Sequence, residues 1–458
     1  MSYFSREEDV MFRVPENSKS YRNREKSRIC LYFCLGFVLS SLLTVVSCGL
    51  VYALGTHRHS ENALVSSATV AVTSIPTNTT LLEANNMGTT PSTLSNAQRN
   101  CSKRVVGYYA IDEIEDIPTS QLSKLTHLIL LPMVTLKDGP LTFIHESGNR
   151  IFLTAIENAR STPTKPAVLF TFLSLQFTGS PFAEILTNFV KTRDLVDGIV
   201  LFIQKYNLDG VEVYLDPVVL RSDLLIPFCR SLRDTLTNLA TFHGRKTPYI
   251  ISAQLLANLP SNMDAVFDQF DFLTATTIFG YYPRPSFPSH FVGPSSPLYS
   301  KLATDPNRNV DYCMRNFTCS TRQPNKLNMM VDFGVNYWKN VIAPVNFSDT
   351  LWMTAEYVNG KIEGGATNRS ILSNASEVLW NDDSKTPYIW NPEERTYYTF
   401  ENERSLEEKM KYIHEKNLGG IAIFHKSIER SVDALMDVVT KSSICAGNED
   451  SDVMFKCN

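Results

Sequence analysis

From residue 104 onward, short apolar runs recur along the chain and alternate with stretches of helical period. The runs are Arg104–Ile111, His127–Val134, Ala167–Ser174, Gly210–Asp216, Tyr249–Leu256, Phe270–Phe279, Leu327–Val335 and Gly419–His425. Near-continuous apolarity bounded by polar residues is what strands buried on both faces require. Between the runs lie amphipathic stripes. Leu225, Phe228, Leu232, Leu236 and Leu239 form one, and Leu406, Met410 and Ile413 form another behind a capping box of Ser405 and Glu408. Strands alternating with helices in this way predict an α/β fold, a (β/α)8 TIM barrel, with an open doubly wound sheet as the alternative. A barrel typically uses about 250 residues, and this stretch is longer. The excess falls between strands seven and eight, at about 337–398, and its Trp, Tyr, Gly and Asn content predicts a small inserted α+β lobe. No internal repeat is present.

Upstream the pattern changes. Ile29–Leu54 holds 26 residues without a charge. As a helix it would reach roughly 39 Å, enough for a hydrocarbon core of about 30 Å. Arg22, Arg24, Lys26 and Arg28 precede it and only Arg58 follows closely, so the positive-inside bias leaves the N-terminus in the cytosol. The expected layout is a cytosolic tail over 1–28, a transmembrane signal-anchor over 29–54 in contact with the lipid bilayer, and a stalk over 55–100. The barrel domain then spans 101–445, and a C-terminal tail 446–458. The stalk reading rests on residues 56–100, which contain no Phe, Tyr or Trp and are dense in Ser, Thr, Asn and Ala. This is a single-pass type II arrangement, with the C-terminal domain lumenal or extracellular.

Composition and charge narrow the functional classes. A net charge of −4 gives no sign of nucleic-acid binding. Six cysteines lie beyond the apolar run: Cys101, Cys229, Cys313, Cys319, Cys445 and Cys457. An even number in an oxidising compartment implies three disulfides among fifteen connectivities. Proximity in sequence favours Cys313–Cys319 and Cys445–Cys457, leaving Cys101–Cys229. No His clusters with them at ligand spacing, so no metal and no cofactor is expected. Six Asn-x-Ser/Thr sequons, at Asn78, Asn100, Asn316, Asn346, Asn368 and Asn374, all lie on the predicted outer side and are the glycosylation candidates.

The fourth run, Leu208-Asp-Gly-Val-Glu-Val-Tyr-Leu-Asp216, carries the candidate chemistry. Side chains alternate across a strand, so Glu212, Tyr214 and Asp216 share one face and Val211, Val213 and Leu215 the other. The segment resembles the signature strand of glycoside hydrolase family 18, the chitinases and chitinase-like proteins. That family's pattern is Asp-Gly-x-Asp-x-Asp-x-Glu; here it reads Asp209, Gly210, Glu212, Tyr214, Asp216. The likeness runs from Arg104 to about Val439. Val106-Gly-Tyr-Tyr109 resembles the first strand, Gly293-Pro-Ser-Ser-Pro-Leu-Tyr299 the segment after strand six, and Pro324-Asn-Lys-Leu-Asn328 the entry to strand seven. Lys385-Thr-Pro-Tyr388, Ser405-Leu-Glu-Glu-Lys409 and Leu418-Gly-Gly-Ile421 resemble the last quarter. With Asn309-Val-Asp-Tyr312 and the N-terminal apolar run, the chain resembles the nematode chitinase-like proteins that are type II membrane proteins.

The resemblance implies a substrate-assisted glycosidase site, an exception to the two-carboxylate scheme. The final Glu of the pattern protonates the glycosidic oxygen. The substrate's acetamide attacks the anomeric carbon, held by the preceding Asp and by a Tyr from strand six. Here the acid position is Asp216, whose carboxyl retreats by roughly 1.5 Å relative to Glu. A misplacement of about 1 Å can cost on the order of 100-fold. The orienting Asp is replaced by Tyr214, which carries no charge near neutral pH. A phenol there is expected to donate to Asp216 or Glu212 and so favour the ionised carboxylate. The family's Met-x-Tyr-Asp aligns with Thr276-Thr-Ile-Phe279, which places Ile278 at the acetamide-binding Tyr. Its Ser-x-Gly-Gly aligns with Thr171-Phe-Leu-Ser174, and the Trp that floors the pocket is Phe424. Losing these groups together removes the machinery as a unit.

The expectation is therefore a catalytically inactive chitinase-like membrane protein that binds chitin or N-acetylglucosamine-containing glycans. Tyr108, Tyr109, Tyr281, Tyr282, Trp338 and Phe424 are the sugar-binding candidates, because flat rings stack on pyranose faces; core packing competes for each. For Glu212 and Asp216 the competing reading is a buried hydrogen bond, and for Asp209 a turn before the strand. Two alternatives stay open: an extracellular matrix or cuticle interaction protein without a sugar site, and a weakly active glycosidase using Asp216 as its acid.

Overall fold

The computed structural model describes residues 103–457, apart from 112–116, 133, 137–140, 173–179, 216–221, 256–263, 279–290, 302–306, 347–348, 359–361, 375–376, 426–431, 442–454 and 456. The apolar run Ile29–Leu54 and the stalk lie outside these residues. Among the described residues no helix is long and apolar enough to cross a membrane.

Eight parallel strands close into a barrel: β1 Arg104–Ala110, β2 His127–Leu131, β3 Ala167–Thr171, β4 Gly210–Leu215, β5 Ile250–Leu255, β6 Phe272–Ala275, β7 Leu327–Asp332 and β8 Gly420–His425. Each pairs with its sequence neighbour, and β8 pairs with β1 in parallel from Arg104↔Gly420 to Tyr109↔His425. That last pairing excludes the open doubly wound sheet. Helices Glu146–Ser161, Phe189–Tyr206, Ser222–Phe242, Val310–Thr321 and Glu403–Glu415 fill connections between the strands. The expected stripe from Leu225 to Leu239 is buried against the barrel, as are Leu406, Met410 and Ile413. The cap of that last helix sits three residues earlier than the sequence indicated. Asn402 accepts from the Ser405 amide and Ser405 Oγ accepts from the Asn402 amide, a capping box that makes Ser405 an interior residue of the first turn.

The strand alternation separates two apolar layers. Val105, Leu128, Leu130, Val168, Phe170, Val211, Val213 and Leu215 point outward into the helix layer. Val106, Tyr108, Ile129, Leu169, Phe272, Met330 and Ala422 fill the barrel interior. The N-terminal end of the interior is plugged. Arg104 Nε donates to Asn328 Oδ1 at 3.0 Å, its guanidinium lies 5.1 Å from the Phe272 ring centroid, and the His127 ring meets the edge of the same phenylalanine. Burial, helped by the charge of Arg104, pushes the His127 imidazole down to about 4, so it packs there as a neutral ring. The interior is thus open to chemistry at the C-terminal end of the strands, where barrel sites lie.

The insertion extends from Val335 to Phe400 and differs from the expected α+β lobe. It is antiparallel β, with a five-stranded sheet in the order Gly364–Thr367, Val335–Trp338, Thr396–Phe400, Thr386–Asn391, Leu379–Asn381. A three-stranded sheet joins Val341–Asn346 and Asp349–Ala355 to Phe291–Val292, which comes from the connection after β6. The helical part amounts to a 3-10 segment at Arg369–Asn374. Tyr, Trp, Thr and Val on alternating positions favour a pleated sheet over a helix, and that preference governs here.

The cysteine pairing is corrected. Cys319 bonds to Cys457, with Cα atoms 5.5 Å apart, while Cys313 and Cys229 are buried free thiols. Cys313 and Cys319 are six residues apart on one helix, a rise of roughly 9 Å, beyond the reach of about 7 Å that a disulfide spans. Cys229 faces the core from the helix Ser222–Phe242, so it does not pair with Cys101; Cys101 and Cys445 lie outside the described residues. The bond fastens the C-terminal residues to the domain, where Phe455 is buried against Tyr412 at 6.4 Å between ring centroids. At Phe455 and Cys457 the chain is therefore docked on the domain, as a C-terminal strap.

Candidate active site

Strand β4 positions the candidate acids. Glu212 lies inside the barrel and is 0 % exposed, while Val211, Val213 and Leu215 face the helix layer as the alternation requires. The strand can lie this close to β5 because residue 210 is glycine: a Cβ there would collide with the carbonyl oxygen of Ile250. Asp209, grouped with the acids by its motif position, belongs to the opposite end of the barrel. It bonds Arg160 and Arg245 at 2.6 Å each and accepts the Val168 amide at 2.8 Å. Burial works to raise its carboxyl. The hydrogen bonds from Arg245 and Val168 and the charge of Arg160 outweigh that and hold it below its ordinary value. It is an ion-paired strap between β3 and β4, neither a simple turn residue nor part of the site.

The Glu212 carboxyl is held by two strands. Tyr108 Oη on β1 donates to Oε2 at 2.6 Å, and Ser252 Oγ on β5 donates to the same oxygen at 3.4 Å. The sequence analysis expects Tyr214 to donate to Asp216 or Glu212; the phenol on Glu212 is Tyr108, and Asp216 lies outside the described residues. The expected consequence for charge is also reversed. Burial pushes the Glu212 carboxyl up to about 8, and the two hydrogen bonds only partly oppose it. Glu212 therefore keeps its proton near neutral pH. Burial, with the neighbouring Glu212, raises the Tyr108 phenol well above its usual value. Glu212 Oε1 and Thr171 Oγ1, which face each other in register across β3 and β4, are buried without a hydrogen-bond partner among the described residues.

Above this layer the interior opens. Tyr214 is half-buried and sits in register with Gln254, whose Nε2 donates to Thr276 Oγ1 at 3.3 Å. Thr277 Oγ1 donates to the Met330 carbonyl at 2.5 Å and accepts the Met330 amide at 3.0 Å, extending the β6–β7 contact beyond the short strand. That clasp sets Ile278 against the interior cluster, where Phe424 also packs, half-buried. Asp332 closes the rim on β7, in register with Phe424, and accepts the Gly334 amide at 2.7 Å.

The remaining sequence candidates divide. Tyr108 is in the barrel interior, 0 % exposed, with no ring face free to stack on a sugar. Tyr109 points the other way, buried in the helix layer beside Gln121, and Trp338 is buried in the lobe against Tyr397. Neither is a groove residue, because alternation and lobe packing turn each away from the mouth. Phe424 is the one described ring of that set placed at the mouth. Asp216, Tyr281 and Tyr282 lie outside the described residues, as do Leu173, Ser174 and Phe279. Of the sequons, Asn316 and Asn368 are exposed; Asn78, Asn100 and the side chains of Asn346 and Asn374 lie outside the description. Ser252, Gln254 and Thr276 were missed. Their signal was present: polar residues at 252 and 254 alternate with Ile251, Ala253 and Leu255 in an otherwise apolar strand, the period of an interior-facing polar row.

Comparison with known proteins agrees with this architecture. The sequence model of glycosyl hydrolases family 18 matches residues 104–427. Chitinase B of Serratia marcescens is 30% identical over 73 residues, 16% of this chain, and the match spans 15% of that relative's own length. A family 18 N-acetylglucosaminidase from Paenibacillus barengoltzii superposes with a TM-score of 0.60 at 18% identity, covering 74% of this chain and 99% of that one. A mutant of class V chitinase from Nicotiana tobaccum in complex with NAG4 gives 0.62 at 12% identity, covering 74% and 98%.

Proposed function

This chain belongs to glycosyl hydrolases family 18, and on that premise we propose that its barrel binds chitin or N-acetylglucosamine-containing glycans without hydrolysing them. The observation that carries the reading is Ile278, an apolar side chain packed on the interior cluster at the position of the family's acetamide-binding Tyr. Glu212 beneath it is not the acid position; buried and tied to Tyr108 and Ser252, it supports the barrel. Tyr214 and Ile278 occupy the positions from which the family's Asp and Tyr hold the acetamide. A phenol can donate one hydrogen bond there, and an isoleucine none. Binding needs less than turnover. The mouth offers Phe424 and Tyr214 as ring surfaces and Gln254 and Thr276 as hydrogen-bonding groups, a mix suited to a pyranose. The tobacco enzyme holds NAG4 on the same fold.

The anchor belongs to the same proposal. The length and charge flanks of Ile29–Leu54 support a type II protein with the barrel on the lumenal or extracellular side, and protease protection of the barrel in sealed microsomes checks it. A fluorogenic chitotriose assay on the full chain tests the loss of hydrolysis: no release is expected, and release abolished by Asp216→Asn overturns it. A chitin pull-down tests binding, with retention expected and weakened by Phe424→Ala. No retention leaves the matrix-interaction role.

A further inference from the structure

A small polar cavity lies where the inserted lobe meets the barrel, with Asp332 of the rim in its wall. Its volume is about 10 Å³, and its walls come from three separate stretches of chain. Pro294, Ser295 and Ser296 follow β6; Asp332 and Gly334 end β7; Thr386, Thr399 and Glu401 belong to the lobe and its exit. Two hydroxyls in this wall, Ser296 Oγ and Thr386 Oγ1, have no hydrogen-bond partner among the described residues, although the residues are only 2 % and 3 % exposed. Leaving a buried hydroxyl unsatisfied costs roughly 1–3 kcal/mol. Two such groups on one cavity point to a shared partner that the described residues do not supply.

We propose that this cavity is a built site for a single internal water that joins the lobe to the barrel. The size matches, since one water needs roughly 10–15 Å³ of such space and about two to four polar partners. Accepting from Ser296 and Thr386 and donating to the carboxylates of Asp332 and Glu401 gives it four. A metal cation fits poorly. Calcium takes about six to eight oxygens, whereas Ser295 and Thr399 are already bonded to each other at 3.3 Å. Glu401 is engaged by Lys409 Nζ and by Ser405 Oγ at 2.7 Å, so its charge is already met. The water then bonds groups far apart in sequence and makes the seating of the lobe depend on hydroxyls at 296 and 386.

A high-resolution structure of the full chain, with a double-mutant cycle, tests this. One solvent peak within hydrogen-bond distance of Ser296 Oγ and Thr386 Oγ1 is expected. Ser296→Ala and Thr386→Val should each lower the unfolding midpoint by about 2 °C. The double variant should fall by clearly less than the sum, because both substitutions remove the same bridge. Additive losses overturn the proposal, as does an empty cavity or a peak ringed by five or more oxygens at cation distance. Should either variant fail to fold, the density in the unsubstituted chain decides.

Discussion

The phenol of Tyr108 on β1 donates a 2.6 Å hydrogen bond to Oε2 of Glu212 on β4, across the interior of the barrel. Between them the two side chains occupy the level at which the signature strand first turns an acid inward. The contact fixes the carboxyl laterally, Ser252 holds it from the next strand, and burial keeps it protonated. A group in that state supports the barrel and does not share protons with a substrate.

A pH dependence follows from Glu212. Its folded value of about 8 stands above an ordinary carboxyl. Below the unfolded value both states carry the proton and no ionic penalty arises. As pH rises from about 4.5 toward 8, the unfolded chain ionises while the folded one does not, so stability falls. Above that window both are ionised and the loss is complete. The total is on the order of a few kcal/mol. Urea unfolding at pH 5, 6.5 and 8 should show Glu212→Gln losing less stability across the range than the unsubstituted chain; equal slopes would disprove the assignment.

A second prediction concerns Lys409, which is 0 % exposed and paired with Glu401. Lys409→Met leaves a buried carboxylate facing an apolar side chain, a cost of about 3–5 kcal/mol. Adding Glu401→Gln removes the stranded charge and should recover a large part of it. Denaturant midpoints of the two variants check this, and a double variant less stable than Lys409→Met alone would refute it.

Much of this was readable in the chain. The eight strands declared themselves because a strand buried on both faces has to be apolar throughout, and Glu212 was placed inward by alternation alone. Its partner was not readable. Tyr108 and Tyr109 are neighbours with opposite faces, and the contact to Glu212 closes over 104 residues, so only the barrel's register decides which phenol meets it. The disulfide failed for a related reason: sequence proximity put Cys313 with Cys319, but helix geometry separates them and the true partner is 138 residues away. The charge state of Glu212 is not legible from its hydrogen-bonding neighbours, because the burial that outweighs them exists only in the closed barrel.

The third prediction is that Cys319→Ser releases the C-terminal strap. The bond closes a loop of 138 residues, and removing such a link costs about 2–5 kcal/mol. Phe455 should lose its seat on Tyr412, and limited proteolysis should cut the last residues much faster than in the unsubstituted chain. Unchanged cleavage would show that packing alone holds the strap.

The last prediction tests whether hydrolysis was lost as a unit. Asp216→Glu restores only the reach of the acid, Tyr214→Asp only the orienting charge, and Ile278→Tyr only the acetamide contact. Each group acts on a transition state that the other two must also hold, so single replacements should leave release from fluorogenic chitotriose at background. The triple variant should exceed the unsubstituted chain by on the order of 100-fold or more, since placing the acid alone is worth about that much once the substrate is held. Ile278 sits beside the Thr277–Met330 clasp, so a tyrosine there is delivered on a fixed backbone. A single variant that turns over substrate would show that the rest of the site is intact. A folded triple variant that binds chitin but stays inert would place the defect deeper, at the Tyr108–Glu212 pair, where Glu212→Asp is the next replacement to make.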